Sequence, residues 1–251
     1  FSRLDRMAST MPLLMAVIVR FAASAPGAVL NMIRLSEVFA FRMMLLERRS
    51  NAGLTSAYGL AREVGAGKGP DETIRRMEAL IREYAPDSEV TASFNASDGS
   101  LADGNFYEWS GLRYFLFEYE RHRVEERGQK LAIDWNKLCG RALEDTIEHI
   151  LPQGENTREV EYWATRFSDE EFRRCRHRLG NLTLTQWNSS LQNKPFPDKC
   201  GRDVSDADAA VYRNSMYVCE RELIEYADWS PAEIDSRQRT LAEFAVKRWA
   251  I

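Results

Sequence analysis

The sequence predicts a mainly α protein, a helical scaffold carrying a small core of two strands and a helix. Three observations predict it. Apolar residues recur at helical spacing through most of the chain, as at Ile74, Met77, Leu80 and Ile81. Helix-starting prolines and capping residues recur, among them Pro26, Pro70, Ser168 and Ser230. The strand-like pieces are few and short: "KLAIDW", "TIEHIL" and "NLTLT". They cannot make a large sheet.

The elements follow in order. From Leu4 to Ala23 apolar residues lie almost all round the helix, which predicts burial against other helices. The apolar run Met11 to Val19 stops at Arg20, short of the ~20 residues a bilayer span needs. No signal-peptide cleavage pattern follows it, so no membrane contact is expected. A second helix is predicted over Ser24 to Arg49, with Ser24 as cap, Pro26 in the first turn, and Arg48 and Arg49 in the last. "SNAG" breaks it, and a shorter helix is expected around Leu54 to Val64. "GAGKGP" is a loop; it lacks the GxxxxGK[ST] spacing and a preceding strand, which argues against a phosphate loop. Pro70 and Asp71 open the next helix. Ala85 to Asn105, rich in Asp, Ser, Asn and Gly, predicts a loop around a short strand at Val90 to Phe94. A long helix begins near Ser110. Its Tyr114, Phe115, Phe117 and Tyr119 cover more than one face and predict burial, while His122 sits among Arg121, Arg123 and Glu125 on a solvated face.

Composition changes near Lys130, which divides the chain into a helical scaffold, 1–129, and a second domain, 130–251. Here the strand-like pieces alternate with two helical stretches, "TREVEYWATRF" and "SDEEFRRCRHRL". The second carries a capping box, Ser168 with Glu171, and is expected to stop at Gly180. From Asp206 the tail is helical, its last segment capped by Ser230. No internal repeat is present.

Charge narrows the function classes. Over 251 residues the net charge is −4 with 29% charged residues, so no global basic field attracts nucleic acid; any such contact needs a local patch. The four cysteines show no CxxC pair and no zinc spacing, and read as reduced, cytoplasmic thiols. A chain beginning with Phe is expected to be the C-terminal part of a longer protein.

One constellation carries chemistry. Glu148 and His149 end a strand before Pro152, Asn181 opens the next, and Asn188 and Asn193 follow in "QWNSSLQNKPFPDK". Strand, strand, helix with His, Asn and Asn in that order is the layout of a ββα-metal, or HNH, nuclease core. A neutral imidazole can take a proton from water near neutral pH. A neighbouring carboxylate and an Asn carbonyl can hold a hard divalent ion, Mg²⁺ or Mn²⁺. Asn181 is expected to brace the hairpin rather than touch metal, with a second reading as a left-handed helix exit. Asn188 has its own alternative, capping the next helix. Arg173, Arg174, Arg176 and Arg178, around His177, form the densest basic run. It is either a solvated helix face or a clamp on the DNA backbone.

"EHILPQ", "RLGNLTLT" and "NSSLQNKPFPDK", in that order, resemble the C-terminal domain of the GmrSD-type restriction endonucleases. The likeness is strongest from Leu143 to Lys199 and extends weakly to "GLRYFLFEYE" and to the tail at Trp229, Ile234, Arg237 and Leu241. It implies His149 as general base, Glu148 as metal ligand and Asn181 as the structural Asn. It also implies Asn188 or Asn193 as the remaining metal-side residue, and Lys194 or Lys199 near phosphate. Two departures stand out: about thirty residues separate His149 from Asn181, and an Asn replaces the His many HNH sites use last. The resemblance further implies a bacterial anti-phage nickase with DNA as partner and an N-terminal ParB-like NTPase domain in the full-length protein. One branch of that family senses glucosylated hydroxymethylcytosine or phosphorothioate DNA, and the Ala- and Arg-rich composition favours the phosphorothioate branch. A homo-oligomer is left open. The rival is a catalytically silent DNA-binding or assembly module; intact Glu148, His149 and Asn181 argue against it.

Overall fold

The computed structural model describes residues 4, 10–46, 53–95, 105–142 and 146–251. They fall into two compact units, Phe1–Ala96 with Glu243–Ile251, and Ser97–Ala242.

The first unit holds α1 (Met11–Phe21), α2 (Pro26–Leu45), α3 (Leu54–Gly65), α4 (Pro70–Tyr84) and α5 (Asp87–Asn95). Leu13, Leu14, Val17 and Phe21 form the buried stripe of α1. The C-terminal half of α2 is buried on every side from Val38 to Leu45, Arg42 included. Arg42 donates to the carbonyls of Trp249 and Ala85, at 3.1 and 2.9 Å, and pairs with Asp87 at 2.6 Å. Phe41 stacks on Trp249 with ring centroids 3.5 Å apart. Gly53 starts α3 at φ 71°, where a Cβ would lie 2.8 Å from the Phe39 ring. Three expectations need correction or fall outside what is described. Ala25, not Ser24, is the N-cap of α2. Arg48 and Arg49 lie outside the described residues. The segment Val90–Phe94 is helical, not a strand: Val90 and Phe94, four apart, are both buried, and Glu89 and Val90 close the first turn onto the Pro86 carbonyl. Lys68 of the glycine-rich loop pairs with Glu63 and Glu72.

The second unit holds α6 (Leu112–Glu126), α7 (Trp135–Cys139), β1 (Ile147–His149), α8 (Glu161–Ala164), α9 (Asp169–Cys175), β2 (Leu182–Leu184), α10 (Asn188–Leu191), α11 (Phe196–Cys200), α12 (Val218–Arg221) and α13 (Pro231–Arg248), the last residues of which belong to the first unit. The buried face of α6 packs on β2 and α12, and its Glu120 accepts the backbone N–H of Val218 and Cys219, satisfying the donors that open α12. The core gathers Ile150, Leu151, Trp163, Phe196, Trp229 and Ile234. "KLAIDW" is not a strand. Residues 130–134 form no strand, and Asp134 instead caps α7 by accepting from Asn136 and Lys137 N–H. The predicted stretch "TREVEYWATRF" is a 3₁₀ turn, Glu155–Glu159, followed by the short α8. The capping box Ser168–Glu171 is present on α9, but that helix ends at Cys175. Gly180 is therefore no helix stop. It is glycine because α13 lies against it: a Cβ there would sit 2.2 Å from the Ile234 carbonyl oxygen. Gln238 accepts from Gly180 N–H, and Arg237 donates to the carbonyls of Gly180 and Leu182. Among the described residues no helix is long and apolar enough to cross a membrane.

Candidate active site

The two strands pair antiparallel, Ile147 with Leu184, Glu148 with Thr183 and His149 with Leu182. All six residues are buried. The chain leaves β1 in a bend at Ile150 and Leu151, which enter the core, ahead of Pro152. Asn181 holds that exit. Its Oδ1 accepts from Leu151 N–H at 2.8 Å and from the Trp229 indole at 3.1 Å; its Nδ2 donates to the carbonyls of Leu151 and Arg176 at 2.9 and 2.8 Å. Every hydrogen-bonding position of a fully buried amide is filled. Asn181 lies in a 3₁₀ turn, Leu179–Asn181, and not in a left-handed helix exit.

Glu148 is 2% exposed. Its Oε1 lies 2.5 Å from Lys199 Nζ and accepts from the Tyr212 hydroxyl at 3.0 Å. Lys199 also donates to the carbonyls of His149 and Ile150, at 3.1 and 3.2 Å. This lysine, expected near phosphate, is instead fully buried and clips the end of β1. An amphipathic reading of α11 places it inward: Phe196, Lys199 and Cys200 share the buried face. Burial pushes the Glu148 carboxyl up and the Lys199 ammonium down, each opposed by its partner's charge. Deeper in the unit, Glu220 is fully buried beside the Ser215 hydroxyl, and desolvation raises it to about 8.

His149 is 6% exposed. Burial, followed by His177, Lys199 and Arg176 nearby, pushes its imidazole down to about 3, so it is uncharged at neutral pH. Its Nε2 lies 3.1 Å from Nδ1 of His177. The Tyr107 ring covers both, with centroids 4.5 Å from His149 and 5.8 Å from His177. Phe106 N–H donates to the His177 carbonyl at 3.0 Å, which fixes the turn that carries Tyr107.

Glu148 and His149 border a cleft of about 350 Å³ whose other lining residues include Asn188, Asn193, Gln153, Asn156 and Gln192. Asn188 begins α10 without capping it, and Asn193 accepts from the Thr157 hydroxyl at 3.3 Å, so both candidate metal-side residues reach the cleft. Gln192, between them, has φ 42°, an unfavourable conformation for a residue with a Cβ. Among the described residues no cluster of three or more His, Cys, Asp or Glu could hold a metal. Beside the His149 imidazole, the possible donors are the Glu148 carboxylate and amide oxygens, hard donors of the type Mg²⁺ or Mn²⁺ takes.

The basic run is divided. Arg173 and Arg174 are exposed, with Arg174 3.9 Å from Asp235. Arg178 is tied to Asp235, and Arg176 lies over the Phe172 ring, 5.9 Å from its centroid. Lys194 is exposed.

A family model described as GmrSD restriction endonucleases, C-terminal domain, matches residues 94–244. The chain belongs to this family. The GmrSD C-terminal domain is a restriction-endonuclease-type nuclease module, whose substrate is DNA. The match includes the cleft, the Asn181 brace and Tyr107. No curated protein and no solved structure matches the chain.

Sequence reasoning missed Tyr107, His177 and Tyr212, and gave Lys199 a different place. His177 was hidden inside an arginine run, and nothing in the spacing ties Tyr107 to a histidine seventy positions on.

Proposed function

We propose that this GmrSD-type domain cleaves DNA by HNH-type, metal-assisted phosphodiester hydrolysis. His149 is the general base, and Glu148 with Asn188 or Asn193 holds Mg²⁺ or Mn²⁺. The observation that carries this reading is the convergence of His149, Glu148, Asn188 and Asn193 on one polar cleft at the end of β1. A neutral His149 takes a proton from the attacking water. Asn181 keeps the exit from β1, and with it the imidazole, in one place; a ~1 Å displacement of a reacting group can cost about 100-fold in rate. The ion, when bound, supplies positive charge to the scissile phosphate and the departing oxygen. Arg173 and Lys194, both exposed, are available to backbone phosphates, which carry no sequence information. Recognition of modified DNA is assigned to the ParB-like NTPase domain of the full-length protein.

The buried Glu148–Lys199 pair favours a second reading, a silent DNA-binding or assembly module, because the ammonium occupies a ligand oxygen. Supercoiled plasmid separates the two. The cleavage reading expects relaxation with Mg²⁺, none with chelator, and a loss of ~10²–10⁴ in His149→Ala. A folded His149→Ala chain that nicks like the wild type sinks it. Modified and unmodified plasmids are expected to be cut alike by this chain alone.

A further inference from the structure

A general base needs a free lone pair, and His149 has two ring nitrogens. We propose that His177 is a positioning residue that decides between them: its Nδ1 accepts a hydrogen bond from His149 Nε2–H, leaving His149 Nδ1 as the proton acceptor, while Tyr107 holds the two rings in register. This rests on the cleavage reading above and adds to it a residue that does not itself touch substrate.

The 3.1 Å contact between Nε2 of His149 and Nδ1 of His177 requires one hydrogen between them. Two protonated nitrogens would face each other as donors; two bare ones would oppose their lone pairs. His149 is 6% exposed and the Tyr107 ring lies against both imidazoles, a setting that disfavours a charged ring. Two neutral arrangements remain. In one, both rings carry hydrogen on Nε2; in the other, both carry it on Nδ1. Free histidine favours the Nε2–H form, so the first arrangement keeps both rings in their preferred tautomer. It is also the only one that leaves His149 with an uncommitted lone pair, since in the second its Nδ1 carries the hydrogen and its Nε2 already accepts. The hydrogen bond made by one nitrogen thus sets the chemistry of the other.

The surroundings fix this pair from both sides. The Tyr107 ring lies nearly parallel to His177, at 18°, and tilted against His149, at 57°. The backbone bond from Phe106 to His177 ties the ring's own turn to the residue it covers. Asn181 donates to the carbonyl of Arg176, next to His177, so one amide restrains the chain at both histidines.

The test is a two-bond ¹H–¹⁵N correlation spectrum of the histidine rings, taken on the wild-type chain and on His177→Phe and His177→Asn, beside plasmid cleavage kinetics. The wild type is expected to show His149 as the Nε2–H tautomer. His177→Phe should show a mixture of forms and lose on the order of 10–100-fold in kcat, with KM for plasmid unchanged. His177→Asn, whose amide oxygen can accept from Nε2–H, should restore the tautomer and most of the rate. A wild-type His149 found as Nδ1–H overturns the inference without any variant having to fold. So does a folded His177→Phe chain with wild-type tautomer and kcat. The ring spectrum reads the hydrogen bond whether or not the chain cuts DNA, and His149→Ala separately decides the cleavage reading. A dead His149→Ala beside an unaffected His177→Phe therefore removes only the positioning role.

Discussion

Arg42 in the first unit and Glu148 in the second are charged side chains of equal burial, each 2% exposed. Their partners differ. Arg42 is met by two main-chain carbonyls, of Trp249 and Ala85, and by Asp87, which is 76% exposed. Its charge stitches separate stretches of one unit together. Glu148 has its counter-ion, Lys199, buried with it, and yet it forms part of a cleft wall. A charge that only joins backbone has no reason to border open space. Glu148, compensated by Lys199 and bordering a cleft, stands where the proposed ion would bind. Equal burial therefore hides unequal purposes, and the partners reveal them.

The largest effect expected from breaking this comparison is on stability at Lys199. Lys199→Met strands the Glu148 carboxylate and should cost about 3–5 kcal/mol in chemical denaturation; a cost under ~1 kcal/mol would mean that the pair is not the buried unit described. Glu148→Gln keeps the shape and a place for the Tyr212 hydroxyl. It leaves the buried Lys199 ammonium with only the His149 and Ile150 carbonyls, so it should also lose stability; cleavage per folded molecule should fall about 100-fold or more, ~2.7 kcal/mol of barrier, and an active Gln variant would remove Glu148 from the chemistry. Arg42→Met sharpens the contrast from the other side. Two carbonyls lose their donor, so stability should fall by about 2 kcal/mol, while cleavage per folded molecule stays unchanged.

Glu220 gives the smallest effect and a pH signature. Its folded-state value of about 8 stands above the ordinary 4.5. Its stabilising contribution is therefore complete below the ordinary value and is lost as pH rises through about 8. Unfolding at pH 9 compared with pH 6 should show a loss on the order of 1 kcal/mol or more, equivalent to ~2–4 °C in Tm per kcal/mol. Glu220→Gln should flatten that difference; if it does not, another group is responsible.

The helices were legible wherever local chemistry and tertiary packing agree. Pro70, Asp71 and the apolar spacing of α4 all point one way, and the helix runs from Pro70 to Tyr84. The two strands were legible from "TIEHIL" and "NLTLT". "KLAIDW" carries the same local pattern but finds no partner strand among the described residues, and pairing is a long-range fact that a short window does not contain. Gly180 shows a similar limit: a glycine ending an amphipathic run reads as a stop, while the cause lies in α13, more than fifty residues on. In the candidate site, types and order were readable at Glu148, His149 and Asn181. Direction was not. Lys199 points inward and Arg178 is taken by Asp235, and no spacing rule distinguishes such residues from exposed phosphate contacts.

The amide of Asn181 also orders events in time. Its bonds reach Leu151, 30 residues back, and Trp229, 48 residues ahead. Closing such loops carries an entropic cost before any contact is gained, and long-range contacts form slowly. A chain still emerging from the ribosome has β1 and β2 in hand well before Trp229 is synthesised, but it lacks the partner that completes the brace. Assembly of the cleft is thereby tied to near-completion of the polypeptide, and a chain ended before Trp229 would carry every catalytic candidate in its sequence with the framework around them incomplete.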